Sequence, residues 1–137
     1  MTAGYSGTPL PRKLGIRPGA RVALSRPPDG FEGVLGELPE DVRLLRRVPA
    51  AADVVVLFAR RRNDLERRLP RAHAAIRPDG GLWVAWPKRA SGVPTDITED
   101  VVREIGLAAG LVDNKVCAID ATWSGLRLVV RLGDRGR

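Results

Sequence analysis

The sequence predicts an open, mostly parallel α/β sheet that is flanked by helices and ends in an antiparallel C-terminal hairpin. Two apolar runs, residues 53–59 and 82–86, lack polar alternation, which is typical of parallel strands covered on both faces. Segments with apolar residues at helical spacing separate the strands. Two closely spaced strand patterns then end the chain. This order of elements favours a single sheet that begins parallel and finishes with a hairpin.

The first part of the chain predicts one short helix between two strands. Residues 1–20 are rich in glycine and proline and are expected to form an N-terminal arm. The apolar run at 21–25 predicts the first strand, and a loop with two prolines follows it. Apolar residues at helical spacing predict a helix over 31–38, which ends at Pro39, and residues 42–48 predict the second strand.

The centre of the chain predicts a strand, a helix and a second strand. Residues 53–59 carry the clearest strand pattern and are expected at the centre of the sheet. Asn63 is a candidate N-cap for the helix that follows, and Pro70 is expected to kink or split that helix. The Gly80-Gly81 pair then marks a turn into the strand at 82–86.

The last part predicts one amphipathic helix and the terminal hairpin. Asp96 and Glu99 have the spacing of a capping box, so Asp96 is the expected N-cap. The hairpin strands are predicted over 114–119 and 126–132, with residues 122–125 in the connection. The sequence thus predicts one domain over 21–132.

Composition limits the classes of protein that fit. A chain of 137 residues is most simply one domain, and residues 133–137 are expected to be a flexible tail. Cys117 and His73 are the only cysteine and histidine, so a disulfide within the chain is excluded and no zinc or other metal site is predicted. The sequence contains neither a signal-peptide pattern nor an apolar run of roughly 20 residues, which predicts a cytoplasmic protein with no membrane contact.

Charge is the unusual feature of the composition. Lysine and arginine number 23 against 16 acidic residues, a formal net charge of +7, and lysine occurs only at positions 13, 88 and 115. Such a balance can mark a surface for nucleic acid. The acidic residues are interspersed among the basic ones, however, and Glu66 interrupts the arginine-rich segment around residues 60–71. We therefore do not predict a nucleic-acid partner.

Three stretches, GIRPGARVAL, RPDGGLWVAW and GLAAGLV, resemble the Rossmann-like sheet of class I methyltransferases over about residues 16–132. The resemblance implies a glycine-rich cofactor loop after the first strand and an acidic residue at the end of the second. Here the loop reads SRPPDGF, without Gly-x-Gly, and Arg46 and Arg47 stand where the acid is expected. The sequence therefore predicts a methyltransferase-like fold that lacks the glycine-rich loop and binds no cofactor. The two arginines leave phosphate binding open as an alternative.

At a closer level, YSGTPLPRKLGI, LWVAWPKRASG, TDITEDVVRE and GLVDNKVCAIDATWSGLRLVVR resemble a small actinobacterial family of unknown function. The four stretches are well separated and span nearly the whole chain. The resemblance implies no known activity, so it assigns no catalytic residues to this sequence.

The loop after Trp86 is the candidate ligand site, because ligands of open α/β sheets bind beyond the carboxyl ends of the parallel strands. Its candidate residues are Trp86, Lys88, Ser91, Thr95, Asp96 and Thr98. A lysine offers a positive charge to a phosphate or carboxylate, the hydroxyl groups can donate hydrogen bonds, and a tryptophan can stack on a planar ligand. The same residues also suit a strand end and a helix cap, so both interpretations stay open.

Two functional hypotheses follow from these observations. The first is a non-catalytic binding or interaction module on a degenerate methyltransferase-like fold, whose partner is a protein or a small anionic ligand. The alternative is an enzyme that acts on a small anionic or nucleotide-like substrate at the loop after Trp86. The edge strands of the terminal hairpin would also allow two subunits to pair as a homodimer.

Overall fold

The computed structural model describes residues 7–135, so the first six positions of the predicted arm and the last two of the predicted tail lie outside the described residues. The helices are α1 (Leu10–Lys13), α2 (Phe31–Leu35), α3 (Arg62–Ala75) and α4 (Glu99–Ala108). The strands are β1 (Arg21–Ser25), β2 (Arg43–Leu45), β3 (Ala52–Phe58), β4 (Ile76–Pro87), β5 (Leu111–Ala118) and β6 (Trp123–Val130). Within the described range, no helix is both long and apolar enough to cross a membrane.

The six strands form one sheet in the order β2-β1-β3-β4-β6-β5. The first four strands in this order are parallel, and β6 and β5 add to them as an antiparallel hairpin. The predicted fold class is confirmed. After β1 the chain continues to β2 at one edge of the sheet, and after β3 it continues to β4 in the opposite direction. The strand order therefore reverses between β1 and β3. Such a switch point opens a crevice at the carboxyl ends of the strands.

Helices cover both faces of the sheet, which explains why β3 is apolar without alternation. Val55 and Leu57 point to a core that includes buried residues of α3 and α4. Val54, Val56 and Phe58 point to a second core, which includes α2 and the segment after α1. Every residue of β3 except Asp53 is buried, as expected for a central parallel strand.

Trp83 of β4 joins the N-terminal segment to the sheet. Its side chain is 0% exposed and lies in the same core as Leu14, Ile16 and Phe31. The indole Nε1–H donates a hydrogen bond of 3.0 Å to the carbonyl oxygen of Leu14. The residues before β1 therefore form part of the packed body, with Leu14 and Ile16 fully or almost fully buried.

Several element boundaries differ from the sequence predictions. Helix α3 is continuous through Pro70, because its buried residues Leu65, Leu69 and Ala72 hold it against the sheet while the proline ring faces outward. Strand β4 begins at Ile76 rather than at residue 82. Between the pairs Ala52–Ile76 and Val54–Gly81, β3 advances by two residues and β4 by five. The expected turn is thus a large bulge within β4.

Two further elements are shorter or placed differently. Helix α2 ends at Leu35, where Gly36 follows with a φ of 74°, and β2 covers only three residues. Trp123 was expected in the hairpin connection but begins β6, paired with Pro87 of β4. Its side chain is 6% exposed, so it belongs to the core.

Candidate functional site

A cleft of about 480 Å³ lies at the switch point of the sheet. It opens where β1 and β3 end, which is where open α/β sheets bind their ligands. The cleft is lined by Arg26, Pro27, Pro28, Asp29, Phe58, Ala59, Arg60, Arg61, Asn63, Asp64, Arg67, Arg68 and Trp123. Its size falls within the range of small-molecule sites.

Arg68 of α3 crosses the crevice between the ends of β1 and β3. Its guanidinium group donates hydrogen bonds to the carbonyl oxygens of Phe58, at 2.8 Å, and Ser25, at 3.1 Å. It also donates to the Ser25 hydroxyl at 2.7 Å. The side chain is only 12% exposed. One arginine therefore satisfies the last carbonyl groups of both strands and fills the space between them.

Asp64, one helical turn before Arg68, is the acidic centre of the cleft. Its Oδ2 accepts a hydrogen bond from Arg68 at 2.7 Å, and its Oδ1 contacts Arg67 at 2.8 Å and Arg26 at 3.3 Å. Burial raises the pKa of this carboxyl group, but hydrogen bonding to Arg68 and the charges of the three arginines outweigh burial and leave the pKa below its ordinary value. Asp64 is thus ionised at neutral pH.

Replacing Asp64 by asparagine should lower the free energy of unfolding by about 1–3 kcal/mol at pH 7, because Arg68 loses its charged partner. A depressed pKa contributes stability above the unfolded-state pKa, which is lost as the pH falls through the folded-state pKa. Urea titrations should therefore show the difference between wild type and Asp64→Asn shrinking as the pH falls below about 4. Asp29→Asn, in the exposed wall of the same cleft, is the control and should change stability by about 0.5 kcal/mol at most. A constant difference across this pH range would contradict the assignment.

The cleft carries an excess of positive charge. Five arginines and two aspartates line it, and three of the arginines share the single carboxylate of Asp64. Arg60 and Arg61 are exposed and form no ion pair with any carboxylate among residues 7–135. The cleft therefore presents unneutralised guanidinium groups to solvent.

The loop after β1 carries side chains where a glycine-rich cofactor loop would have none. Arg26 follows the strand directly and has a φ of 51°, in the left-handed region that favours glycine. Pro27 and Pro28 come next and also line the cleft. A cofactor at this position would need to approach the bare backbone closely. The side chain of Arg26 and the two rigid prolines occupy that place instead.

The end of β2 also differs from the arrangement that holds a ribose. Arg46, directly after β2, forms an ion pair with Glu32 of α2. Arg47 lies in a separate groove beside Arg71 and the end of α3. The two arginines therefore do not join the switch-point cleft.

Trp86 and Ser91 make structural contacts through their side chains, and Lys88 makes them through its backbone. Trp86 is 6% exposed and packs in the core with Ile97. The Lys88 amide donates to the carbonyl oxygen of Thr122 at 2.8 Å, and the Ser91 hydroxyl donates to the carbonyl oxygen of Lys88 at 2.7 Å. Trp86 thus offers little of its ring to a ligand.

The other three predicted residues, Thr95, Asp96 and Thr98, form hydrogen bonds with backbone groups at or near the starts of α3 and α4. The Thr95 hydroxyl donates to the carbonyl oxygen of Arg60 at 2.6 Å, and Asp96 Oδ1 accepts the Arg62 amide at 2.7 Å. The predicted capping role of Asp96 is wrong, because Thr98 is the N-cap of α4 and its hydroxyl accepts the Val101 amide. Asp96 instead satisfies the first amide of α3.

Asn63, predicted to cap α3, is the second residue of that helix, and Arg61 occupies its N-cap position without a side-chain hydrogen bond.

None of the six predicted residues lines the switch-point cleft, although Thr95 binds the backbone of Arg60 at its rim. The sequence prediction applied the rule about strand ends to β4, whereas this cleft lies at the ends of β1 and β3. The missed residues carry one signal in the sequence: Asp64 and Arg68 are four apart on a helix that directly follows the central strand.

Cys117 lies half-buried in β5, at the antiparallel edge of the sheet and away from the cleft. Burial raises the pKa of its thiol, although Lys13 and Lys115 partly oppose this effect. The thiol is therefore protonated at neutral pH and is a poor nucleophile. Among residues 7–135, no group of three or more histidine, cysteine, aspartate or glutamate side chains is placed to hold a metal ion.

Several solved structures that resemble this one are methyltransferases. The chain superposes on an O-methyltransferase from neocarzinostatin biosynthesis with a TM-score of 0.65 and 14% identity, covering 94% of this chain and 51% of that one. It matches a putative type 11 methyltransferase from Sulfolobus solfataricus with a TM-score of 0.63 and 12% identity, over 93% of both chains. For a methyltransferase from Aquifex aeolicus the TM-score is 0.57 at 13% identity, covering 88% of this chain and 87% of that one.

These similarities define the class: a Rossmann-like fold of the methyltransferase type, with an arginine-filled cleft at its switch point. The chain spans about half the length of the neocarzinostatin enzyme. No curated protein matches it. Residues 42–132 match the family described as "Protein of unknown function (DUF3052)", and the chain belongs to that family.

Proposed function

We propose that the protein is a non-catalytic binding module on a degenerate methyltransferase-like fold and does not use S-adenosylmethionine. The position of Arg68 carries this proposal. Its guanidinium group occupies the crevice between β1 and β3 and uses the carbonyl oxygens that end both strands. A cofactor in the usual position would have to displace an arginine with four hydrogen bonds.

The chemistry of the cleft supports binding rather than turnover. Its lining contains no cysteine or histidine, and its one strongly held carboxylate, Asp64, is occupied by three arginines. A carboxylate with a depressed pKa and saturated oxygens is a weak general base. Guanidinium groups, in contrast, are permanent donors that recognise anions without exchanging protons.

The enzyme alternative at the loop after Trp86 has less support from the contacts. The Ser91, Thr95 and Thr98 hydroxyls each engage the backbone of the loop or of a helix start. Asp96 likewise holds the start of α3. Groups already committed in this way would have to be released before they could act on a substrate.

Isothermal titration calorimetry with S-adenosylmethionine and S-adenosylhomocysteine tests the proposal. We expect no heat of binding at millimolar ligand. The Sulfolobus or the Aquifex protein, which has the same fold, is titrated in the same buffer as a comparison. The Arg68→Ala variant should also fail to bind, since the prolines of the β1 loop remain. Micromolar binding of either compound to the wild-type protein would overturn the proposal.

A further inference from the structure

We infer that the switch-point cleft binds a small molecule through a phosphate or a similar multivalent oxyanion, with Arg60 and Arg61 as its exposed contact residues. This inference rests on the proposed function, because it names the ligand class of that binding module. The inference adds to the proposed function by assigning the site and the residues that recognise the ligand.

The charge balance of the cleft is the first argument. Asp64 receives three guanidinium groups, so this cluster alone keeps two positive charges. Arg60 and Arg61 add two more, and Asp29 is the one further carboxylate in the lining. Like charges held together in a concave site attract a multivalent anion, whose binding relieves their repulsion.

The choice of side chain is the second argument. Every cation in the lining is an arginine, whose planar fork matches phosphate oxygens with two parallel hydrogen bonds. Asp64 holds Arg26 and Arg67 at the wall of the cleft, so these two guanidinium groups are already oriented. Preorganised donors bind an anion with less loss of side-chain entropy.

The surroundings of the cleft favour a small ligand over a polyanion. On one side, Arg46 is paired with Glu32. On the other side, Arg62 is paired with both Glu66 and Glu104. These two neighbouring arginines are therefore neutralised, whereas the cleft keeps a net positive charge within a volume of about 480 Å³, with Phe58 and two prolines in its lining. A nucleotide-sized ligand fits such a site, whereas a nucleic acid would need a longer basic surface.

Calorimetric titration with inorganic pyrophosphate, ADP and adenosine at about 150 mM salt tests the inference. We expect pyrophosphate and ADP to bind and uncharged adenosine not to bind. The double variant Arg60→Ala/Arg61→Ala should weaken both affinities by about tenfold or more. The double variant Arg12→Ala/Arg131→Ala removes the same charge from exposed positions outside the cleft and should stay within about twofold of wild type.

The outcomes separate this inference from the proposed function. Absence of pyrophosphate and ADP binding, or equal loss in both double variants, would overturn the anion site and leave the non-catalytic proposal in place. Tighter binding to a single-stranded RNA than to ADP, weakened equally by both double variants, would overturn the small-ligand assignment. Binding of S-adenosylmethionine would overturn the proposed function itself, whatever the anions do.

Discussion

Replacing Trp83 by alanine is expected to lower the free energy of unfolding by about 3–5 kcal/mol, the largest effect of any change considered. The side chain is completely buried and lies on β4, a central strand. Truncation would leave a cavity between the sheet and the segment around Leu14, and would remove the 3.0 Å hydrogen bond that joins them. Urea unfolding followed by far-ultraviolet circular dichroism measures the loss.

Trp83→Phe is the matched variant, because it keeps most of the apolar volume and removes the indole donor. We expect it to cost about 1–3 kcal/mol, since the carbonyl oxygen of Leu14 loses its partner in a buried place. This variant keeps the test informative if Trp83→Ala does not fold at all, which is plausible for a domain with about 5–15 kcal/mol of stability. A phenylalanine variant as stable as wild type would mean that the bond to Leu14 contributes nothing.

The sequence was sufficient to predict the sheet because its central strands carry clear strand patterns. Residues 54–59 are apolar without alternation, which is the pattern of a strand with helices above and below. The hairpin also followed from spacing alone. Both predictions depend on short-range patterns that burial enforces strongly.

Boundaries that depend on tertiary contacts were predicted less well. Pro70 removes a backbone donor, which predicts a kinked or split helix, but packing of Leu65 and Leu69 on the sheet maintains α3 as one element. Asp96 has the spacing of a helix cap, yet its carboxylate accepts the Arg62 amide of a helix that is distant in sequence. No local pattern can reveal that partner.

The switch-point cleft was not predicted for a similar reason. The absence of a glycine-rich loop was visible in the sequence, but the residue that takes the vacated space was not. Arg68 belongs to an arginine-rich segment in which a solvent-exposed helix face is the common outcome. Only the register of α3 against β1 and β3 places this arginine, and not its neighbours, over the strand ends.

Replacing Arg68 by alanine is therefore expected to lower the free energy of unfolding by about 2–4 kcal/mol. The change removes hydrogen bonds to two strand-end carbonyl groups and leaves the poorly exposed Asp64 without its nearest cation. The pKa of Asp64 should rise towards the value that burial favours, so the variant should lose less stability than wild type on acidification. Urea titrations at pH 7 and at about pH 3 measure both effects.

Arg67→Ala is the control that separates the effect of the position of Arg68 on stability from the effect of its charge. Arg67 bonds to the same carboxylate at 2.8 Å but is 68% exposed and makes no hydrogen bond to the strand ends. Exposed ion pairs contribute about 1 kcal/mol or less, so this variant should stay near wild-type stability at both pH values. If the two variants lost equal stability, the contribution of Arg68 would come from charge alone. A large difference would instead mean that Arg68 stabilises the protein through its position, by joining the ends of β1 and β3.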